Sequence, residues 1–98
     1  MAKKPREKDI ERKVCEAAES VGCLVYKFIS PGVRGVPDRI FMYHGRVIFV
    51  EFKTAFGTLS HHQDRQATIL RSHGMIVHII SSVLEGNNLI EEFTGLTP

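Results

Sequence analysis

The stretch that decides the fold is DRIFMYHGRVIFVEFK, residues 38–53. It contains two runs of β-branched and aromatic residues that are typical of strands, Arg39 to Tyr43 and Arg46 to Phe52. Between the runs, His44-Gly45 can supply the positive φ angles of a tight hairpin turn. The segment therefore predicts an antiparallel hairpin, with Asp38 just before its first strand and Glu51 late in its second.

The length of the turn decides which residues of the two strands lie opposite each other. With a two-residue or a four-residue loop, Asp38 faces Glu51, with the Cβ atoms roughly 4.5–5.5 Å apart. A three-residue loop or a bulge would shift the pairing by one residue and separate the two acids. Lys53 lies two residues beyond Glu51, so the alternation of a strand puts it on the same face as both carboxylates.

The facing pair of carboxylates would be destabilising unless a positive charge lay between them. Mg²⁺ suits that position because it prefers oxygen ligands and is commonly held by one or two carboxylates plus a substrate phosphate. The alternative is a surface hairpin with solvated acids and an ordinary cross-strand lysine. Apolar residues on both faces of the second strand, from Val47 to Val50, favour a covered strand in which Glu51 and Lys53 are unusual.

Three motifs, in order, resemble the VRR-NUC domain, a branch of the PD-(D/E)xK nuclease superfamily. They are Gly35-Val36-Pro37-Asp38, Val50-Glu51-Phe52-Lys53, and Leu59-Ser60 followed by Gln63. The resemblance extends over about residues 7–80. It implies an α/β, restriction-endonuclease-like fold, with a central mixed β-sheet flanked by helices, and a metal-dependent phosphodiesterase that acts on DNA.

The resemblance also implies the residues of the site. An acid of the first helix, the loop aspartate and the strand glutamate would bind Mg²⁺ or Mn²⁺, and here these are Glu7, Asp38 and Glu51. Lys53 and Gln63 would complete the site. Lys53 would orient or deprotonate the attacking water, or balance the charge that builds on the phosphorus. The number of metal ions and the identity of the general base stay open.

The helix acid has two candidates. Apolar residues at helical spacing predict an amphipathic helix over residues 6–20, with Gly22 as its C′ residue. On a helical wheel Glu7 falls within about 45° of the centre of the apolar stripe, and Glu11 about twice as far away. Glu7 could equally be an acid favoured by the positive end of the helix dipole, so Glu11 remains the second candidate.

Gln63 and the glycine loop also have structural alternatives. Ser60 and Gln63 fit a capping box, in which each residue hydrogen-bonds the backbone of the other. In the loop of residues 30–37, Gly35 would let the backbone approach a ligand closely and Arg34 would clamp a phosphate. With Lys53 these two are the predicted nucleic-acid contacts, and a flexible loop with a solvated arginine is the alternative.

Composition limits the remaining possibilities. The 98 residues predict one domain over 1–98 with a modest core over about 7–81, so a dimer interface could add stability. The net charge is only +2, but a cluster of basic residues near the N-terminus gives a local positive field that suits DNA: Lys3, Lys4, Arg6, Lys8, Arg12 and Lys13. Cys15 and Cys23 lack metal-site spacing, and there is no long apolar segment. A reduced, cytoplasmic protein without a membrane span or structural zinc is therefore expected.

The remaining segments complete an α/β pattern that packs as a mixed sheet covered by helices. They are a strand over residues 24–29, a helix over 61–72 and a strand over 75–81. Residues 83–98 could form a strand, a short helix or a patch that docks on a second subunit. Because no module for sequence recognition is visible, we expect structure-selective cutting of branched DNA rather than site-specific restriction. Stand-alone members of such families resemble dimeric Holliday junction resolvases, so the resemblance implies a homodimer whose two active sites would suit paired cuts at a junction. Flap or single-strand cleavage, or DNA binding without catalysis, are the alternatives.

Overall fold

The computed structural model describes residues 5–98. In chain order the elements are α1 (Glu7–Ser20), β1 (Leu24–Lys27), β2 (Arg39–Tyr43), β3 (Arg46–Phe52), α2 (His61–Ser72), β4 (Val77–Ile80) and α3 (Val83–Thr94). The predicted bounds of β2, β3 and α2 are confirmed, whereas β1 and β4 are shorter than predicted. Lys3 and Lys4 of the basic cluster lie outside the described residues. Within residues 5–98, no helix combines the length and the apolar character needed to cross a bilayer.

The turn between β2 and β3 consists of His44 and Gly45, with φ angles of 47° and 81°. Positive φ at both positions is the geometry of a type I′ turn, whose twist matches that of the flanking strands. Tyr43 is paired with Arg46 at the turn. The predicted two-residue loop and its register are therefore confirmed.

The four strands form one mixed sheet in the order β1-β2-β3-β4. The pairs β1/β2 and β2/β3 are antiparallel, whereas β3 and β4 are parallel and are joined through α2. Because β3 and β4 run in the same direction, their carboxyl ends meet at one end of the sheet. The predicted fold class, a mixed sheet flanked by helices, is confirmed.

The hydrophobic core lies on one face of this sheet, where α1 and α3 cover alternate residues of β2 and β3. Its main members are fully or almost fully buried: Phe41, Ile48, Val50 and Phe52 from the sheet, Ile10, Val14 and Ala18 from α1, and Leu89, Ile90 and Phe93 from α3. Burying each large apolar side chain contributes roughly 1.5–3 kcal/mol. This face therefore fixes both helices against the sheet.

Helix α3 settles the three alternatives for the C-terminal segment. Ser82 caps its first turn, and Gly95, with a φ of 75°, ends it. Gly86 lies where α3 meets α1, because a Cβ atom at this position would overlap the side chain of Val14. The packed core thus continues through α3, beyond the expected range of about 7–81.

Candidate active site

Asp38 and Glu51 lie side by side at the end of the sheet where β2 begins and β3 ends. Arg39 is paired with Val50, and the same register carried one step outward brings Asp38 beside Glu51. The Oδ2 atom of Asp38 accepts a hydrogen bond of 2.8 Å from the backbone N–H of Phe52. One carboxylate oxygen of Asp38 is thereby anchored to β3.

Glu51 is buried to an unusual degree for a charged residue. Its relative exposure is 2%, and among residues 5–98 neither of its carboxylate oxygens has a hydrogen-bond donor. Asp38 is within reach of it, but two ionised carboxylates offer only acceptors to each other. A buried carboxylate without a partner is costly, so this arrangement favours either a proton or a cation at Glu51.

The electrostatics of the site centre on the same carboxyl group. The pKa of Glu51 is raised to about 8, first by burial, then by the hydrogen bond that its protonated carboxyl can donate to Asp38 and by the negative charge of Asp38. The charge of Glu7 acts in the same direction, whereas the ammonium of Lys53 lowers the pKa. Glu51 therefore has two acids and one base close enough to act on its charge.

The structure separates the two candidate helix acids. Glu7 is the first residue of α1, is half-buried, and is close enough to act on the charge of Glu51. Glu11 instead forms an ion pair with Arg39, whose Nε donates to Oε2 of Glu11 at 2.7 Å. Glu11 thus links α1 to β2 through Arg39, and Glu7 is the helix acid whose charge acts on Glu51.

The chemistry of Asp38 and Glu51 fits a hard divalent cation. Mg²⁺ takes oxygen ligands and is usually held by one or two carboxylates, with water and phosphate in its other positions. The two unpartnered buried oxygens of Glu51 are the structural sign of such a ligand. Within residues 5–98, no group of three or more His, Cys, Asp and Glu side chains has metal-ligand spacing, so Glu7 does not form a three-acid cluster with the other two.

Lys53 follows the last residue of β3 and is held by the sheet. Its backbone N–H donates to the carbonyl oxygen of Ile80 at 2.9 Å, which continues the pairing of β3 with β4 by one step. The side chain is half-buried, and in the part of the chain that the structure describes it forms no ion pair within 4.0 Å. The ammonium is therefore near Glu51 without being committed to another acid.

Gln63 forms the capping box that its spacing predicts. Its Oε1 accepts from the backbone N–H of Ser60 at 2.9 Å, and its own backbone N–H donates to Oγ of Ser60 at 3.2 Å. Only the carbonyl of the Gln63 amide is used in the cap. Its NH₂ group is left for a further partner, so capping and a place in the site are compatible.

Gly35 is required by packing against α2. Its φ is 83°, and a Cβ atom there would overlap the backbone of His62 and lie 2.6 Å from the backbone nitrogen of Gln63. The close approach that the structure shows for this glycine is to the first turn of α2, and its approach to a ligand stays a prediction. Arg34 beside it is exposed.

Sequence reasoning missed three contacts that shape the site. These are the bond from Phe52 to Asp38, the Glu11–Arg39 ion pair and the packing of Gly35 on α2. Each contact joins residues that are far apart in the chain, so no local sequence pattern predicts it. The predicted register of the hairpin was the one usable signal, because it places Asp38 beside Glu51.

The mixed sheet and the acids and lysine at its end define an α/β protein of the restriction-endonuclease-like class. A solved structure described as "VRR_NUC domain" superimposes with a TM-score of 0.81 and 29% sequence identity, covering 89% of this chain and 96% of that chain. The "Putative nuclease p44" of Acyrthosiphon pisum secondary endosymbiont phage 1 is 37% identical over 78 residues, which is 79% of this chain and 84% of that protein. A scan against protein-family models gave no match. The chain belongs to the VRR-NUC family.

Proposed function

We propose that the protein is a divalent-metal-dependent endonuclease that hydrolyses phosphodiester bonds of DNA, with branched DNA as its substrate. One observation carries the proposal: the buried carboxylate of Glu51, without a hydrogen-bond donor, beside Asp38 and within the field of Lys53. The similarity to the VRR_NUC structure and to the phage nuclease supports the same chemistry.

The proposed roles follow from where the side chains lie. Asp38 and Glu51 would hold Mg²⁺ or Mn²⁺, and Glu7 would join them through a water molecule. When bound, such an ion polarises the scissile phosphate and lowers the pKa of a bound water. Lys53 would orient the attacking water or offset the charge that develops on the phosphate oxygens.

Gln63 and Arg34 would act on the substrate rather than on the ion. The NH₂ group of Gln63 is a donor that a phosphate oxygen or the attacking water could accept from. Arg34 is exposed on the loop that packs against α2 through Gly35, where a guanidinium could bind a phosphate by two parallel hydrogen bonds. Both residues remain proposed contacts.

A cleavage panel tests the proposal directly. Labelled four-way junction, flap, single strand and linear duplex would be incubated with the protein in Mg²⁺, Mn²⁺, Ca²⁺ or EDTA. We expect cleavage in Mg²⁺ or Mn²⁺ and none in EDTA, with symmetric cuts in the junction at least tenfold faster than cuts in linear duplex. Cutting confined to flaps or single strands would reject the junction as substrate. Salt-sensitive binding without cleavage in any metal would reject the enzyme in favour of a DNA-binding module.

A homodimer is the second part of the proposal, because one sheet face is apolar and largely uncovered. Leu24, Met42 and Val47 lie in register across β1, β2 and β3, and Leu24 and Val47 are 48% and 45% exposed. Tyr26, two residues along β1 on the same face, is 55% exposed. A second copy of the chain is a self-complementary partner for this face.

Val47→Asp should convert the dimer to a monomer, because a two-fold interface places the new charge twice in one apolar contact. Sedimentation at micromolar concentration should give about twice 11.1 kDa for the wild type and 11.1 kDa for the variant. Leu84→Asp is the matched control, since Leu84 is 70% exposed on α3. A wild-type protein that sediments as a monomer, or a Val47→Asp protein that stays dimeric, would refute this interface.

A further inference from the structure

Lys27 and Arg39 lie directly opposite each other on neighbouring strands. They are paired in the register of β1 with β2, so their side chains are on the same face of the sheet, with the Cβ atoms roughly 4.5–5.5 Å apart. Like charges in such a pair destabilise the sheet unless an anion lies beside them. An anion is therefore expected at these two cations.

Glu11 supplies one negative charge at this place, but it reaches only Arg39. Its Oε2 accepts a hydrogen bond from Nε of Arg39 at 2.7 Å, and the side chains of Glu11 and Arg39 are 21% and 26% exposed. Among residues 5–98, neither Nη atom of Arg39 donates a hydrogen bond, and the ammonium of Lys27 has no ion-pair partner within 4.0 Å. Glu11 therefore fixes the guanidinium and leaves two of its nitrogens without a partner, opposite an unpaired lysine.

A cavity of about 400 Å³ lies between α1 and this cation pair. Cations line it on both sides: Lys8 and Arg12 from α1, and Lys27 and Arg39 from the sheet. Lys8 is exposed, and in the part of the chain that the structure describes it forms no ion pair within 4.0 Å. Positive charge that no acid neutralises therefore comes from both walls of the cavity.

Three acids also line the cavity, and their positions decide where it is positive. Glu11 is bonded to Arg39, and Glu16 lies 3.5 Å from Arg12. Glu19 is eight residues beyond Glu11, which is about 12 Å along the axis of α1. The end of the cavity at Arg39 therefore has a net positive charge, and the acids dominate the other end.

The positive end of the cavity adjoins the candidate active site. Arg39 directly follows Asp38 in the chain. Burial acts to lower the pKa of Arg39, but its hydrogen bond and the nearby negative groups, Asp38 among them, raise it overall. On α1, Lys8 directly follows Glu7, whose charge acts on Glu51. The cavity and the site are thus neighbours along both α1 and β2.

We propose that the positive end of this cavity binds a second backbone phosphate of the DNA substrate, near the scissile one, between Lys27 and the two free nitrogens of Arg39. A phosphate accepts parallel hydrogen bonds from a guanidinium, and its charge offsets the repulsion between the two cations. Such a contact positions the strand on the protein without reading its sequence. This inference rests on the proposed nuclease function and adds to it the surface that holds the substrate backbone.

Lys27→Ala should weaken the binding of a labelled four-way junction on the order of tenfold at about 0.1 M salt, because one phosphate contact is lost. The slope of log affinity against log salt concentration should become shallower by about one. Fluorescence anisotropy in Ca²⁺ over a series of KCl concentrations measures both effects. Lys13→Ala is the matched control, since Lys13 is exposed on the same helix about 140° around its axis from Lys8 and does not line the cavity. We expect it to bind within about twofold of the wild type.

Glu11→Gln should act in the opposite direction. Glutamine keeps an oxygen that can accept from Nε of Arg39 but has no charge to compete with a phosphate, so DNA affinity should rise about fivefold. Glu91→Gln on α3 is the control for loss of an acid and should bind within about twofold of the wild type. A Glu11→Gln protein with unchanged DNA affinity and a lower Tm would mean that the ion pair only links α1 to β2, which would overturn the proposal.

The binding assay separates this inference from the nuclease proposal because it needs no cleavage. If the wild type cuts no DNA in Mg²⁺ or Mn²⁺, the nuclease proposal fails, but weaker and less salt-dependent binding by Lys27→Ala would still support the phosphate site. If the wild type cuts DNA and Lys27→Ala binds it with the wild-type affinity and salt dependence, the phosphate site is refuted and the nuclease proposal stands.

Discussion

Asp38→Asn is expected to lower the rate of DNA cleavage in Mg²⁺ on the order of 10³-fold or more, with little change in thermal stability. Asparagine removes the anionic ligand but keeps an oxygen that can accept the 2.8 Å hydrogen bond from the N–H of Phe52. The anchor to β3 is retained, and the loss therefore falls on metal binding and transition-state stabilisation. Single-turnover cleavage of a labelled four-way junction, together with a thermal melt of the same sample, measures both effects.

Asp64→Asn is the matched control, because Asp64 is an exposed acid in the first turn of α2. We expect it to cut DNA within about twofold of the wild-type rate. Lys53→Ala should resemble Asp38→Asn in cleavage while retaining metal binding, which calorimetric titration with Mn²⁺ would detect. Cleavage at the wild-type rate by Asp38→Asn would remove this residue from the site and with it the proposed metal centre.

The parts of the fold that local signals specify could be predicted from the sequence. The hairpin follows from His44-Gly45 between two strand-forming runs, and its observed register is the predicted one. Helix α2 follows from Ser60 and Gln63 at its start and Gly74 after its end. In each case the residues that decide the structure are neighbours in the chain, so no tertiary information was needed.

Helix α3 could not be predicted from local sequence signals. Gly86 and the two asparagines that follow it are poor helix formers, so the sequence of this segment does not predict a helix. The structure explains the glycine by the close packing of α3 on Val14 of α1. The reason for this residue lies on the other helix, more than 70 positions away, and tertiary packing overrides local propensity.

The candidate site divides in the same way. The proximity of Asp38 and Glu51 was predictable because it depends only on the turn. The choice between Glu7 and Glu11 was not, because it depends on the ion pair of Glu11 with Arg39 across two elements. The burial of Glu51 likewise depends on tertiary packing and could not be predicted from neighbouring residues.

That burial leads to the other large expected effect, which is that Glu51→Gln stabilises the metal-free protein. In the folded state the pKa of Glu51 is about 8, against about 4.5 for an unperturbed glutamate. Below pH 4.5 both the folded and the unfolded states hold the proton, and its contribution to stability is complete. As the pH rises towards 8 the unfolded state has lost the proton while the folded state keeps it, so the free energy of unfolding falls. Glutamine resembles the protonated acid and does not titrate, and its advantage should reach on the order of 3 kcal/mol at pH 7.

Thermal melts in EDTA at pH 4.5, 6 and 8 measure this effect. The Tm of Glu51→Gln should equal that of the wild type at pH 4.5 and exceed it by on the order of 10 °C at pH 8. Glu91→Gln, which changes an exposed glutamate of α3, is the control and should differ from the wild type by less than about 2 °C throughout.

Thermal melts with added Mg²⁺ then show whether a proton or a cation is the partner of Glu51. Metal binding must displace the proton, so the Tm of the wild type should rise with Mg²⁺ at pH 8 and hardly change at pH 5. The Glu51→Gln protein should gain little from Mg²⁺ at either pH, because it has lost a charged ligand. A Glu51→Gln protein less stable than the wild type at pH 8 in EDTA would mean that the carboxylate already has a favourable partner within the folded chain. The reason for assigning a cation to this end of the sheet would then disappear.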